Sequence, residues 1–287
     1  GSMALPYLAA LFGLVQSLTA RRDDLHILLD GSDAGSLARH RFGTAHTERP
    51  LRVVQISDPH LGPFMSVARL RRICKDTVAA DPDLVLLTGD FLTVDSQQTS
   101  EYLTEALAPL RTLSGRTFAC RGNHDLEAPA HVATALRANG IHLLIDDAAT
   151  AHTPYGEVDL IGFDFVFRQR AEHVASVAAR HPRRSLAIPR LALLHDPGCF
   201  KYVPPGTADL VFSGHLHGGQ LGFFRLHGGW TVPRLLSLPD HGLWARGRER
   251  LYVHRGNAHY GFPLRIGVPA EENVLHLHYV AREDERS

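Results

Sequence analysis

Short runs rich in Val, Ile, Leu or Phe recur along the chain at Leu51–Ile56, Leu84–Leu87, Thr117–Ala119, Leu191–Leu194 and Leu210–Phe212. Runs of this length read as strands buried on both faces, the kind found inside a parallel sheet. Between them the apolar spacing changes to that of a helix. Val67, Leu70, Cys74, Thr77 and Val78 form one stripe, with Ser66 placed to cap its start and Asp81-Pro82-Asp83 to end it. A second helix is predicted from about Gln98 to Leu113, burying Leu103, Ala106, Leu107 and Leu110 and stopping at Gly115. A third runs from near Pro129 to Asn139-Gly140. Alternation of strand and helix implies a parallel sheet for the first half. After Gly140 the strands shorten, Glu157–Gly162 among them, and one more helix near Gln169–Arg180 is closed by Pro182.

Two stretches depart from this pattern. Gly1-Ser2 ahead of Met3 reads as an expression-vector remnant and is set aside. From Tyr7 to Leu18 the chain is nearly all apolar, with Leu8, Leu11, Phe12, Val15 and Leu18 at helical spacing and Arg21-Arg22 following. A spanning helix needs about 20 apolar residues, so this run is read either as a helix packed on the domain or as an interfacial anchor. Residues 23–50 lack periodicity and are expected to lead in as a hairpin or loop. Between Gln220 and Leu251 the sequence is rich in Gly, Pro and aromatics, with Phe223, Phe224, Trp230 and Trp244, and resembles a lid. Its aromatics either pack under a sheet or form a greasy rim, and Arg246, Arg248 and Arg250 either meet anionic groups or make a solvated face.

Composition narrows the picture. With 287 residues and 44% hydrophobic content the chain can bury a sizeable core, and one α/β domain is expected over 51–287, preceded by an apolar segment and lead-in over 1–50 and carrying a lid-like excursion over 221–250. Lys+Arg and Asp+Glu balance at 30 each, which argues against a broad electrostatic grip on nucleic acid. Cys74, Cys120 and Cys199 make no complete disulfide set and lack zinc-clamp spacing; they read as small buried hydrophobes. The count of 19 His is high, and most of them, including His227, His241, His254 and His259, have no motif around them.

The chemistry sits directly after the five apolar runs. Asp58-Pro59-His60, Gly89-Asp90, Cys120-Arg121-Gly122-Asn123-His124-Asp125, Leu194-His195-Asp196 and Gly214-His215-Leu216-His217 each follow one. Residues at the carboxyl ends of neighbouring strands gather at one sheet edge, where open α/β folds place their sites. Asp58, His60, Asp90, Asn123, His195, His215 and His217 form a mixed oxygen and nitrogen set suited to two hard or borderline divalent ions, manganese first and iron or zinc next. Asp90, alone in its island, is the natural bridge between them. Such a pair can hold a hydroxide and grip phosphoryl oxygens during in-line attack. Asn123 coordinates without adding charge. His124 stands beside a ligand and is the candidate general acid, with Asp125 expected to hold its ring; Arg121 is a candidate phosphate contact.

These five ordered blocks resemble the D-x-H, G-D, G-N-H-[DE], H and G-H-x-H motifs of the calcineurin-like metallophosphoesterases over about residues 51–280. The resemblance implies a four-layer α/β/β/α sandwich of two mixed sheets flanked by helices. It also implies one ion on Asp58, His60, Asp90 and His217 and a second on Asp90, Asn123, His195 and His215. His217-Gly218-Gly219-Gln220, Leu194-His195-Asp196-Pro197 and the run Gly261 to Gly267 are similar to a bacterial branch that includes hydrolases of UDP-2,3-diacylglucosamine. Pro59 replaces the Leu usual there, with no ligand lost. The expected activity is dinuclear-metal-dependent hydrolysis of a phosphoester or pyrophosphate on a lipid-linked or nucleotide-diphosphate-linked substrate, with Phe224 and Trp230 as candidate contacts for its greasy end. The alternatives are a generic or cyclic-nucleotide phosphodiesterase, a phosphomonoesterase, and a non-catalytic scaffold, against which the complete ligand set argues. The expected location is cytoplasmic, or peripheral at the cytoplasmic membrane.

Overall fold

A computed structural model describes residues 4–17, 19–44, 49–93, 96–220, 222–223, 230–259, 261 and 264–280. Its strands in chain order are β1 (Ala20–Arg21), β2 (Asp24–Leu29), β3 (Ala38–Arg39), β4 (Leu51–Ile56), β5 (Leu84–Leu87), β6 (Thr117–Ala119), β7 (His142–Leu143), β8 (Asp147–Thr153) and β9 (Gly156–Phe163). Then come β10 (Arg190–Leu194), β11 (Leu210–Ser213), β12 (Gly222–Phe223), β13 (Trp230–Thr231), β14 (Gly242–Arg246), β15 (Glu249–Val253), β16 (Ala270–Glu271) and β17 (Val274–Tyr279). The helices are α1 (Ala4–Ser17), α2 (Val67–Ala79), α3 (Glu101–Leu107), α4 (Pro129–Ala138), α5 (Arg170–Arg180) and α6 (Val232–Leu235).

Two mixed sheets lie face to face, one in the order β2-β17-β4-β5-β6-β7 and the other β3-β14-β15-β11-β10-β9-β8. Side chains alternate across a strand, and here both faces are apolar. Leu51, Val53, Leu84, Leu86 and Phe118 of the first sheet pack on Leu160, Leu191, Leu193, Leu210 and Phe212 of the second. The intervening residues Ile56, Val85 and Leu87 face outward onto Leu70 and Ile73 of α2, Leu107 of α3 and Leu136 of α4. On the other side Ile161, Ala192, Leu194 and Val211 meet Val174 and Val177 of α5. Four layers result, α/β/β/α. Each fully buried Leu or Phe in them contributes roughly 1.5–3 kcal/mol relative to exposure, so these three clusters hold the strands whose ends carry the chemistry.

The helices form where the periodicity places them. Ser66 Oγ accepts the Arg69 N–H at 3.2 Å and caps α2. The second predicted helix splits, because Pro109 has no N–H to continue the α pattern, and residues Ala108–Leu113 tighten into a 3₁₀ turn. Residues 24–29, expected in a hairpin or loop, form β2, which pairs in parallel with β17 (His26 with His276). Ile27 and Leu29 are buried between the sheets, and the half-buried His26 and Leu28 between them hide the alternation in the sequence. Residues 242–246 and 249–253 are not rim but sheet: β14 and β15 pair antiparallel, and Trp244 is buried in the cluster beneath α5. Arg250, on the opposite face of β15 from Leu251, is buried as well, donating to the carbonyls of Gly247, Glu249 and Ser32, and Arg246 donates to Val203 O at 2.6 Å. Arg250 is thus withdrawn from the surface, while Arg246 is half-buried and Arg248 exposed.

The N-terminal run packs by one narrow stripe and leaves the rest outward. Gly13 O accepts the Arg265 N–H at 3.2 Å and Gln16 Oε1 accepts that of Gly267 at 2.6 Å. Tyr7 is 78% and Leu8 62% exposed, with Leu11, Leu14 and Val15 also outward. No helix among the described residues is long and apolar enough to cross a membrane.

Candidate metal centre

The parallel pairs β4/β5/β6 and β10/β11 align their carboxyl ends at one edge of the sandwich. Gln55, last in the inward-facing row of β4, marks where the dry interior ends: its Nε2 donates to Thr88 Oγ1 at 2.8 Å and, across to the other sheet, to Ser213 O at 3.0 Å. Beyond it each chain turns sharply. Asp58, His60, Asp90, His215 and His217 all have positive φ, between 42° and 70°. Non-glycine residues hold that region only where their surroundings impose it, and such strain collects at functional sites. Glycine is required at two contacts. A Cβ on Gly89 would lie 2.3 Å from Gly122 N, and one on Gly122 would lie 2.2 Å from Asp90 Oδ1.

The turns bring the predicted residues into two groups whose ligand atoms lie within 4.8 Å of one another: Asp58 with His60 and His217, and Asp90 with His195 and His215. Asp90 Oδ2 joins them, 3.1 Å from His195 Nε2 and 3.7 Å from His60 Nε2. In the first group His60 Nε2 and His217 Nε2 are 3.1 Å apart, and Asp58 Oδ1 is 3.6 Å from His217 Nε2. The rings are oriented from behind. His195 Nδ1 donates to Thr88 O at 2.6 Å and His217 Nδ1 to Ala258 O at 3.3 Å, which turns each Nε2 toward the carboxylates. Asp58 is fixed by the His215 N–H at 2.9 Å and by Ser57 Oγ. Asn123 Oδ1 is buried with no hydrogen-bond partner among the described residues.

Burial sets the charges. It pushes His60 and His215 down to about 4, so both rings are neutral at pH 7, the form that binds metal. It raises the Asp58 carboxyl to about 6, helped by the nearby Asp90 carboxylate. His195 is raised to about 10: burial works against the charged ring, but the Asp90 and Asp58 carboxylates outweigh it. Burial alone would raise Asp90 as well; the His195 cation reverses this and holds Asp90 well below the ordinary range. Convergent imidazole nitrogens, two carboxylates and an orphaned amide oxygen are the donors a pair of divalent cations would satisfy, so the residues present fit a dinuclear centre.

Asp125 does not hold the His124 ring. Its carboxylate accepts three backbone N–H groups, from Gly122 at 2.7 Å and from Asp90 and Phe91 at 2.8 Å each. Successive residues of the 3₁₀ turn His124–Glu127 point about 120° apart, so neighbours in sequence diverge. Among the described residues Glu127, three residues on, meets the ring, with His124 Nδ1 at 3.0 Å from Glu127 Oε1. The His124 ring sits edge-on to His60 at 5.4 Å between centroids, at the border of the site. Arg121 is engaged by a two-pronged contact with Asp164, at 2.8 Å for the Nε to Oδ1 bond. Phe165, close behind Asp164, packs its ring 6.0 Å from those of His195 and His215. Of the proposed apolar contacts, Trp230 lies in β13 and Phe224 is outside the described residues. Thr88, Ser57, Ala258, Glu127 and Asp164 were not singled out from the sequence. Ser57 and Thr88 are polar residues ending buried apolar strands and offered a signal; the others offered none.

A family model of calcineurin-like phosphoesterases matches residues 51–263. Phosphodiesterase YaeI of Escherichia coli (strain K12) is 29% identical over 247 residues, covering 84% of this chain and 87% of that protein. The UDP-2,3-diacylglucosamine pyrophosphatase LpxG of Chlamydia muridarum is 25% identical over 259 residues, covering 72% of this chain and 77% of the relative. Among solved structures, a 5'-nucleotidase precursor from Thermus thermophilus superposes with a TM-score of 0.46 at 16% identity over 71% of this chain, which spans 48% of that one.

Proposed function

Since this chain belongs to the calcineurin-like phosphoesterase family and is a metal-dependent phosphoesterase, we propose that it cleaves a phosphodiester or pyrophosphate bond in a substrate with one anionic and one acylated end, such as UDP-2,3-diacylglucosamine. In this reading one ion is held by Asp58, His60, Asp90 and His217 and the other by Asp90, Asn123, His195 and His215, with manganese first and iron or zinc next. Two such ions would supply Lewis-acid polarisation of a phosphoryl oxygen and an activated water. The chain's own groups do the rest. Asp90 fixes the spacing, the neutral Asn123 keeps the net charge of the site low enough to admit an anion, and His124 delivers a proton to the departing oxygen, oriented by Glu127. Arg121 reaches a substrate phosphate only if it exchanges Asp164 for it.

The observation that carries the reading is Asp90 Oδ2 lying between rings of both groups. Support for an acylated end comes from the substrate that the Chlamydia relative is named for and from the surface next to His217. Helix α6 packs beside the turn bearing His217 and leaves Val232, Leu235 and Leu236 exposed. With the outward side chains of α1, these suit a peripheral contact with a bilayer or an acyl chain.

The test compares UDP-2,3-diacylglucosamine with bis(4-nitrophenyl) phosphate and 4-nitrophenyl phosphate on manganese-loaded and chelator-treated protein. Expected are metal-dependent release of UMP from the nucleotide and slower diester cleavage. Leu235→Ser with Leu236→Ser should lower kcat/KM for the acylated substrate by about 10–100-fold at unchanged Tm and unchanged small-diester activity. Turnover of the small diester alone, indifferent to the leucines, would leave a generic phosphodiesterase.

A further inference from the structure

Two arginines, Arg250 and Arg265, lead the fully buried side chains in size. Arg265 touches no carboxylate within hydrogen-bonding distance among the described residues. Its Nη1 donates to the carbonyls of His217 (3.2 Å) and Val268 (3.1 Å), and its Nη2 to those of Arg255 (2.7 Å) and Ala258. Its Nε is buried with no hydrogen-bond partner among the described residues. A buried cation without a paired anion is costly, so the arrangement it enforces is expected to matter.

What it enforces is the setting of one imidazole. Ala258 O, which Arg265 grips, is also the carbonyl that receives His217 Nδ1 and turns the ring. A second gripped carbonyl is that of His217 itself, where the chain is left-handed at His217 (φ 49°) and again at Gly218 (φ 62°). One planar fork therefore clamps the strained turn and the acceptor that orients its side chain, along with the segments around Arg255 and Val268. A lysine ammonium, with three donors at one point, cannot span them.

We propose that Arg265 is a positioning residue that presents His217 Nε2 to the cation it shares with Asp58 and His60. This rests on the dinuclear reading of the site. Loss of such outer support typically weakens metal binding by about 10–100-fold. Only the ion held through His217 should feel it.

Arg250 provides a matched control, since it too is buried and donates to backbone carbonyls, at Gly247, Glu249 and Ser32, but belongs to the hairpin of β14 and β15. Chelator-treated wild type, Arg265→Lys and Arg250→Lys are titrated with Mn²⁺ by calorimetry, bound metal is counted by elemental analysis, and Tm is followed in parallel. Both variants should melt lower. Wild type and Arg250→Lys should bind two ions with equal affinities, while Arg265→Lys should keep one ion unchanged and bind the other about 10–100-fold more weakly. Should Arg265→Lys not fold, Arg265→Gln takes its place. In a cycle with His217→Ala, the loss from changing Arg265 should largely vanish once the ring is gone. Two ions at wild-type affinity in the Arg265 variant, an equal loss in Arg250→Lys, or additive losses in the cycle each overturn the inference while leaving the metal centre standing. A wild type that binds no metal overturns the metal centre itself, and this inference with it.

Discussion

Asp125 Oδ2 accepts the Asp90 N–H at 2.8 Å, so a carboxylate one residue past the proposed proton donor holds the backbone of the bridging residue instead. Burial raises Asp125 to about 7, the neighbouring Asp90 carboxylate adding to it. Asp125→Ala leaves three buried N–H groups unsatisfied, a loss of about 1–3 kcal/mol for each that water does not reach. Thermal melting should show it, with weaker retention of metal. A variant that melts like wild type and holds its ions would mean these bonds are replaceable by water.

The bridging role separates Asp90 from Asn123. Asp90→Asn removes a charge contacting both groups, whereas Asn123→Asp keeps an oxygen in place. Elemental analysis should find fewer ions in Asp90→Asn than in Asn123→Asp, and activity should fall further. Two ions and full turnover in Asp90→Asn would remove the bridge.

Proton delivery is read from the leaving group. His124→Ala should retain the metals yet slow esters with poor leaving groups by about 10²–10⁴-fold, and those with good ones much less. Glu127→Gln should have a smaller effect in the same direction, since its contact with His124 is largely exposed. Equal losses on both kinds of ester would point to substrate positioning rather than acid catalysis.

Acid stability isolates Asp240. Burial works to raise its carboxyl, but hydrogen bonds from His241 and from Thr231 Oγ1 (2.8 Å), with Arg39 beside it, bring it down to about 2 from an ordinary 3.8. A folded value below the unfolded one gives stability that is complete above the unfolded value and is lost as pH falls from about 4 towards 2. Denaturant midpoints measured from pH 5 to pH 2 should therefore fall more steeply in wild type than in Asp240→Asn. Parallel slopes would show that the carboxylate gains nothing from its partners.

Much of this is legible in the sequence. Strands buried on both faces leave continuous apolar runs, so the ends of β4, β5, β6, β10 and β11 could be located, and Asp, His and Asn placed directly after them. Recognition of backbone leaves no such trace. Asp125 and Arg265 meet mainly N–H and C=O groups, which every residue carries, so nothing in the sequence names their partners. The hairpin of β14 and β15 was hidden by its own composition, since Trp244 and Arg250 look like surface chemistry until pairing buries them. β2 was hidden for another reason: its neighbour in the six-stranded sheet, β17, lies about 250 positions along, at the register pair His26 and His276.

That pairing orders events during synthesis. β17 inserts between β2 and β4, parallel to one and antiparallel to the other. Until residues 274–279 leave the ribosome, β2 has no strand to join and β4 shows an open edge beside apolar Leu51 and Val53. An unpaired edge of this kind is a template for wrong partners. The late strand acts as a keystone: a nascent chain halted before it carries every predicted ligand but presents an adhesive flank, which makes chaperone capture of that stalled intermediate the expected fate.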